Sequence, residues 1–259
     1  MRLNAIIHAP SGAEEKPPLI VAHGLFGSAR NWNSVARSLA QGRRVVAVDM
    51  RNHGDSPRSD DHSYDAMAQD LADALAEHGG DEADLLGHSM GGKAAMVCAV
   101  GLRPANLRRL IVADVAPVPY RHSHLDYVRA MRAIDLGVLK RRAEVEPLLA
   151  PAVPDRSLRA FLLHSLASGP DGLYWKLNLK ALEEFMSSMV GFPELAQPWD
   201  GPCLQLRGGK SDYALDEYMD AMRAILPATE IVTLEGTGHW LHAEKPAEFA
   251  EAVAAFLDR

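Results

Sequence analysis

Cysteine is nearly absent. Two residues, Cys98 and Cys203, in a chain of 259 leave no material for a disulfide framework. Both sit in apolar surroundings on different predicted elements and read as buried thiols. Basic charge is also short: 27 Lys and Arg against 34 Asp and Glu give a formal net charge of −7. Nucleic acid as a partner wants a basic face, and anionic membranes want the same, so both are disfavoured. No apolar run approaches the roughly 20 residues that span a bilayer. The segment from Met1 to His8 is too short and too interrupted by polar residues for a signal peptide, so a cytoplasmic location is the expectation. No Gly-x-Gly-x-x-Gly follows a predicted strand, which removes the case for a dinucleotide. The pairs His122/His124 and His239/His242 have no His-Glu-x-x-His pattern or cysteine cluster beside them, so neither metal nor cofactor is expected. Internal repeats and low-complexity stretches are missing as well.

What is present is centred on Gly87-His88-Ser89-Met90-Gly91. Before it, Ala83 to Leu86 reads as the end of a buried strand, and after it Gly92 to Leu102 is rich in small and helix-forming residues. Strand, tight turn and helix make this Gly-x-Ser-x-Gly a nucleophile elbow, in which a strained serine needs small residues two before and two after it. Around this stretch, apolar runs and amphipathic periods alternate. Strands are expected at Leu3 to His8, Leu19 to Ala22, Arg43 to Val48 and Arg109 to Ala113, and helices at Trp32 to Gln41 and Tyr64 to His78. The alternation predicts a mostly parallel sheet covered on both faces. It breaks between Val118 and Trp199, where four helical patterns (Leu125 to Ile134, Leu139 to Leu149, Ser157 to Leu166, Leu179 to Met189) occur and no strand is expected. It resumes with strands at Cys203 to Arg207 and Glu230 to Leu234 and helices at Asp216 to Ile225 and Pro246 to Leu257. Residues 1–117 and 200–259 therefore read as an α/β core, and residues 118–199 as a helical cap inserted into it.

Ligands of open parallel sheets bind beyond the carboxyl ends of the strands. The residues just after the predicted strands are His23-Gly24-Leu25, Asp49, Ser89, Asp114, Asp212 and His239. Serine, aspartate and histidine thus meet one edge in the chain order of α/β-hydrolases. A serine hydroxyl is a weak nucleophile near neutrality, and a histidine base oriented by a carboxylate supplies the activation it lacks. Ser89 is the expected nucleophile and His239 the expected base. Either Asp114 or Asp212 can serve as the acid.

These features resemble the α/β-hydrolase superfamily over nearly the whole chain. Within it, the chain is similar to the group of the bacterial esterase YbfF and the vertebrate hydrolase ABHD11. The resemblance is carried by His23-Gly24-Leu25-Phe26-Gly27-Ser28, Asp49-Met50-Arg51-Asn52-His53-Gly54, Gly87 to Lys93, Asp114-Val115-Ala116-Pro117-Val118, Gly208-Gly209-Lys210-Ser211 and Gly238 to Pro246. It implies the α/β-hydrolase fold, with the helical cap inserted after the sixth strand. Most members carry the acid where Asp212 stands; the YbfF-like group carries it where Asp114 stands, with Ser211 linking acid and histidine. The resemblance therefore favours Asp114, with Asp212 the alternative. The oxyanion hole is expected from the backbone N–H groups of Met90 and Leu25, with Phe26 as the neighbour if the turn is shifted by one.

The activity implied is hydrolysis of carboxylesters or acyl thioesters, with a small acyl ester or thioester as the partner; nothing in the residues speaks to oligomeric state. Carbon–carbon bond hydrolases and acyltransferases use the same triad, whereas dehalogenases and epoxide hydrolases place a carboxylate where Ser89 stands. A non-enzymatic receptor on the same scaffold is the reading from another class. Blander expectations attach to His88 (packing beneath the serine), His23 (a structural hydrogen bond) and Arg51-Asn52-His53 (holding its own loop). Phe185, Met186, Met189 and Trp175 are either cap core or the wall of an acyl pocket.

Overall fold

The computed structural model describes residues 1–259. Strand β1 (Ala5–His8) is followed by β2 (Leu19–Ala22), helix α1 (Asn33–Leu39), β3 (Val45–Val48), α2 (Tyr64–His78), β4 (Ala83–His88), α3 (Met90–Val97) and β5 (Leu107–Ala113). After a long insertion come β8 (Cys203–Gly208), α8 (Met219–Ile225), β9 (Thr229–Leu234), α9 (Leu241–Glu244) and α10 (Pro246–Leu257). The seven strands form one sheet in the order β1-β3-β2-β4-β5-β8-β9. Only β1 runs antiparallel, against β3; every other pairing is parallel.

The two-residue period of a strand sends alternate side chains to opposite faces, and here both faces are apolar. Leu85, Leu110 and Val112 join the core formed with α2 and α3, while Leu86, Ile111 and Leu204 join that formed with α1 and α10. Helix α2 shows the matching 3.6-residue period: Met67, Leu71, Ala74 and Leu75 are buried, and the Ser63 side chain accepts the Ala66 N–H at its start.

The insertion follows the fifth strand of this chain, not the sixth as the resemblance implied. Between β1 and β2 the chain makes only an isolated bridge, Ser11 to Gln41, so five strands precede the insertion. The insertion carries helices α4 (Leu125–Ala133), α5 (Arg142–Leu149), α6 (Arg156–Leu163) and α7 (Leu179–Val190). It also holds an antiparallel hairpin, β6 (Leu166–Gly169) paired with β7 (Gly172–Trp175), where only helices were expected. Four-residue strands are too short to display a period, and Gly172 turns the chain with φ +114°. The apolar sides of α4 to α7 merge with the core on the α2/α3 face. No helix is long and apolar enough to cross a membrane.

Candidate active site

Ser89 stands between the end of β4 and the start of α3, with φ +53° and ψ −119°. Such a backbone costs a non-glycine residue on the order of 1–3 kcal/mol. The ladder holds it there, since Ser89 N–H still donates to Ala113 C=O at 3.0 Å and Lys93 N–H closes the first helical turn on Ser89 C=O. The flanking glycines are required by space. A Cβ on Gly87 would lie 2.3 Å from Gly91 O, and one on Gly91 would lie 2.5 Å from His23 O. Strand and helix can therefore fold back on each other only if both positions lack side chains.

An imidazole and a carboxylate arrive from later strands. The Ser89 hydroxyl donates to His239 Nε2 at 3.0 Å, and His239 Nδ1 donates to Asp114 Oδ2 at 2.7 Å. Asp114 follows β5, is fully buried, and also adopts a left-handed backbone (φ +52°). Its Oδ1 accepts Gly208 N–H at 2.9 Å, and its Oδ2 also accepts the Ser211 hydroxyl. Three donors thus converge on one buried carboxylate. Ser211 meets the acid but makes no hydrogen bond to the imidazole; its other partner is Tyr213 N–H at 3.2 Å. The link from acid to histidine that the resemblance implied is thus direct and does not pass through Ser211. Asp212 is exposed and makes no hydrogen bond to His239, because the turn after β8 points Ser211, and not its neighbour, at Asp114.

Opposite the imidazole, the chain after β2 lays Gly24 against the serine: a Cβ there would come within 3.0 Å of Ser89 Cβ. Leu25 N–H has no hydrogen-bond partner, and Met90 N–H is the first amide of α3 and has none within the helix. The neighbouring Phe26 N–H is engaged by His53 Nε2 at 3.2 Å, which removes it from the alternatives for binding an oxyanion. His53 in turn donates from Nδ1 to Arg51 C=O, and His23 accepts Met50 N–H at Nε2 and donates to Gly24 C=O from Nδ1. Burial pushes both imidazoles below their ordinary pKa, and each ring must be neutral to accept as it does. Arg51 forms a bidentate pair with buried Asp70 (2.6 and 2.8 Å) and ties down its own loop. The Arg51-Asn52-His53 stretch is scaffold behind the oxyanion turn.

His88 packs at the elbow as expected, but its contact with His239 and those of several neighbours had no signal in the sequence. His88 Nε2 donates to His239 C=O at 2.9 Å, holding the backbone of the base from below; burial keeps His88 well under its usual pKa. The Tyr213 ring stacks on the His239 imidazole with centroids 3.8 Å apart and planes 18° from parallel. Its hydroxyl meets His124 Nε2 at 3.3 Å, and burial lowers the His124 pKa to about 4. A narrow cavity of about 50 Å³ opens on Ser89, walled mainly by Leu25, Tyr64, Val115, Met186 and Met189. Met186 and Met189 are therefore pocket wall, whereas Trp175 is buried and donates to Met131 C=O. Phe185 is half-buried and does not line the cavity.

A serine, an imidazole and a buried carboxylate in relay, beside two free amides at the carboxyl edge of a parallel sheet, define the α/β-hydrolase class of site. The sequence profile described as "Alpha/beta hydrolase family" matches residues 19–252. The sn-1-specific diacylglycerol lipase ABHD11 of Mus musculus is 40% identical over 249 residues, covering 93% of this chain and 81% of that protein. Esterase YbfF of Escherichia coli (strain K12) is 34% identical, with both chains covered in full. Among solved structures, a marine microorganism esterase superposes with a TM-score of 0.92 at 36% identity, covering 99% of this chain and 100% of its own. The chain belongs to the α/β-hydrolase family and is an enzyme of its esterase type.

Proposed function

We propose that the protein hydrolyses carboxylesters, and acyl thioesters of similar acyl groups, through a covalent acyl-enzyme formed on Ser89. The Ser89 hydroxyl attacks the substrate carbonyl while His239 Nε2 takes its proton. Asp114 keeps the Nδ1–H tautomer in place and stabilises the imidazolium that forms. The amides of Met90 and Leu25 receive the oxyanion of the tetrahedral intermediate. The imidazolium then returns its proton to the leaving group, and a water activated by the same imidazole releases the acid. Residues 118–199 act as a cap over the core of residues 1–117 and 200–259, and the apolar wall of Met186 and Met189 receives the acyl chain.

The observation that carries this reading is the unbroken relay from Ser89 to His239 to buried Asp114, at 3.0 and 2.7 Å. An acyl group in a wall of Leu, Val and Met also agrees with the esterase and lipase activities named for the relatives. The test pairs a panel of p-nitrophenyl esters and CoA thioesters of increasing chain length with labelling by a fluorophosphonate probe. Wild-type protein should turn over and take one label, and Ser89→Ala should lose the label and at least about 10⁴-fold in kcat. Turnover that survives Ser89→Ala, or a wild-type chain that neither turns over nor labels, overturns the proposal.

A further inference from the structure

Lys93 lies one helical turn beyond Ser89 on α3, is 1% exposed, and has no carboxylate within ion-pairing distance. Its ammonium instead donates to three carbonyls: Val118 O at 2.9 Å, Val190 O at 3.2 Å and Gly191 O at 2.6 Å. An ammonium has three N–H donors, so this set is complete, and none is left to reach a substrate. The three acceptors come from the two places where the polypeptide passes between core and insertion. Val118 lies on the way in; Val190 and Gly191 lie at the end of α7, on the way out.

The end of α7 is where a cation belongs. The last carbonyls of a helix lack intrahelical partners and carry its negative partial charge. Two core residues satisfy them here, because the Tyr64 hydroxyl of α2 donates to Met189 O at 2.8 Å beside the Lys93 contacts. The same turn of α7 presents Met186, Met189 and Val190 to the cavity that opens on Ser89. Lys93 also stands 4.4 Å from the centroid of the Tyr120 ring. The Tyr120 hydroxyl donates to Tyr213 C=O at 2.5 Å, and the Tyr213 ring covers His239. One ammonium, carried by the nucleophile helix, thus touches both passages of the insertion and the ring of Tyr120, whose hydroxyl is tied to Tyr213.

We propose that Lys93 is the positioning residue that clamps the end of α7 onto the nucleophile helix and so sets the length of acyl chain the cavity accepts. This rests on the ester-hydrolase reading above. A buried ammonium with only carbonyl partners is costly; burial lowers its pKa to about 7. Methionine of similar length fills the same space without the donors, and it leaves the end of α7 held by the Tyr64 hydroxyl, by Tyr120 N–H on Val190 O at 2.9 Å, and by packing.

The test is Lys93→Met with the p-nitrophenyl ester series, read as kcat and KM separately. The expected result is a KM for long acyl esters changed by about tenfold, with kcat for the acetate ester within about threefold. Amide exchange at residues 189–191 should accelerate in the same variant. A lowered unfolding temperature with unchanged KM at every chain length and unchanged exchange overturns the clamp and leaves Lys93 a structural residue. If Lys93→Met does not fold, Tyr64→Phe carries the test, since it keeps the ring in the cavity wall and removes the hydroxyl that ties Met189 O. A smaller shift of KM in the same direction supports the clamp, and none overturns it. Failure of the hydrolase reading looks different: wild type itself shows neither turnover nor labelling, while the exchange experiment still reports on the clamp.

Discussion

The carboxyl edge of the sheet and the insertion above it are held in place by different physics. At the edge, Ser89 and Asp114 each sit one residue beyond a strand, where the backbone itself aims them, and His239 follows β9 after a short turn. Ser89 and Asp114 keep their ladder hydrogen bonds up to the turn and then take left-handed conformations. The insertion is aimed by side chains reaching across from the core. Besides the contacts at the end of α7, Asn178 binds Asn52 through its backbone N–H and its Nδ2 (3.0 Å each), and Arg58 donates to Trp175 C=O at 2.7 Å. Backbone placement leaves little freedom, and a misfit there removes the site. Side-chain ties are separable, so each can be loosened with the chemistry intact.

Three substitutions and one control probe that contrast, beginning with the strongest effect. Asp114→Asn should cost about 10³–10⁴ in kcat by analogy with serine proteases, because the amide no longer fixes the tautomer of His239. Asp212→Asn should leave kcat near that of wild type. Equal kinetics for the two variants would show that the edge does not place its acid by the turn after β5. Gly91→Ala comes next: its Cβ has no room against His23 O and Ala22 O. The expected loss is about 3 kcal/mol of stability together with fluorophosphonate labelling, measured by urea denaturation and by the probe. The smallest effect belongs to the insertion. Asn178→Ala should lower stability by about 1–2 kcal/mol through the lost ties to Asn52 and Ser59, with kcat on a short ester unchanged. A kcat that falls along with stability would mean that the insertion, too, aims the catalytic groups.

Much of the core was legible. The spans Tyr64–His78 and Pro246–Leu257 coincide with α2 and α10, and every strand of the main sheet was anticipated to within two residues at each end. Long amphipathic periods and doubly buried runs are strong signals because each is repeated over many residues. The hairpin in the insertion was missed because four residues per strand carry no such repetition. At the site, Ser89, His239 and the Leu25 and Met90 amides follow from motifs at strand ends. Asp114 and Asp212 could not be separated on their own residues, since both follow strands on the same edge. Tyr213 stacking on His239 and His88 holding the His239 carbonyl left no trace, because both are contacts between segments far apart in the chain.

The sequence by itself determined the order of strands and helices, the elbow and the presence of every group the chemistry needs, since those are local properties of period, turn and spacing. Only the tertiary structure decided which carboxylate meets the imidazole, that Ser211 binds that carboxylate and not the ring, and which side chains meet the last carbonyls of α7. Those outcomes depend on ångström-scale distances between residues 25 to 150 positions apart, where a single turn at Gly208 to Ser211 gives Asp114 donors and leaves Asp212 in solvent.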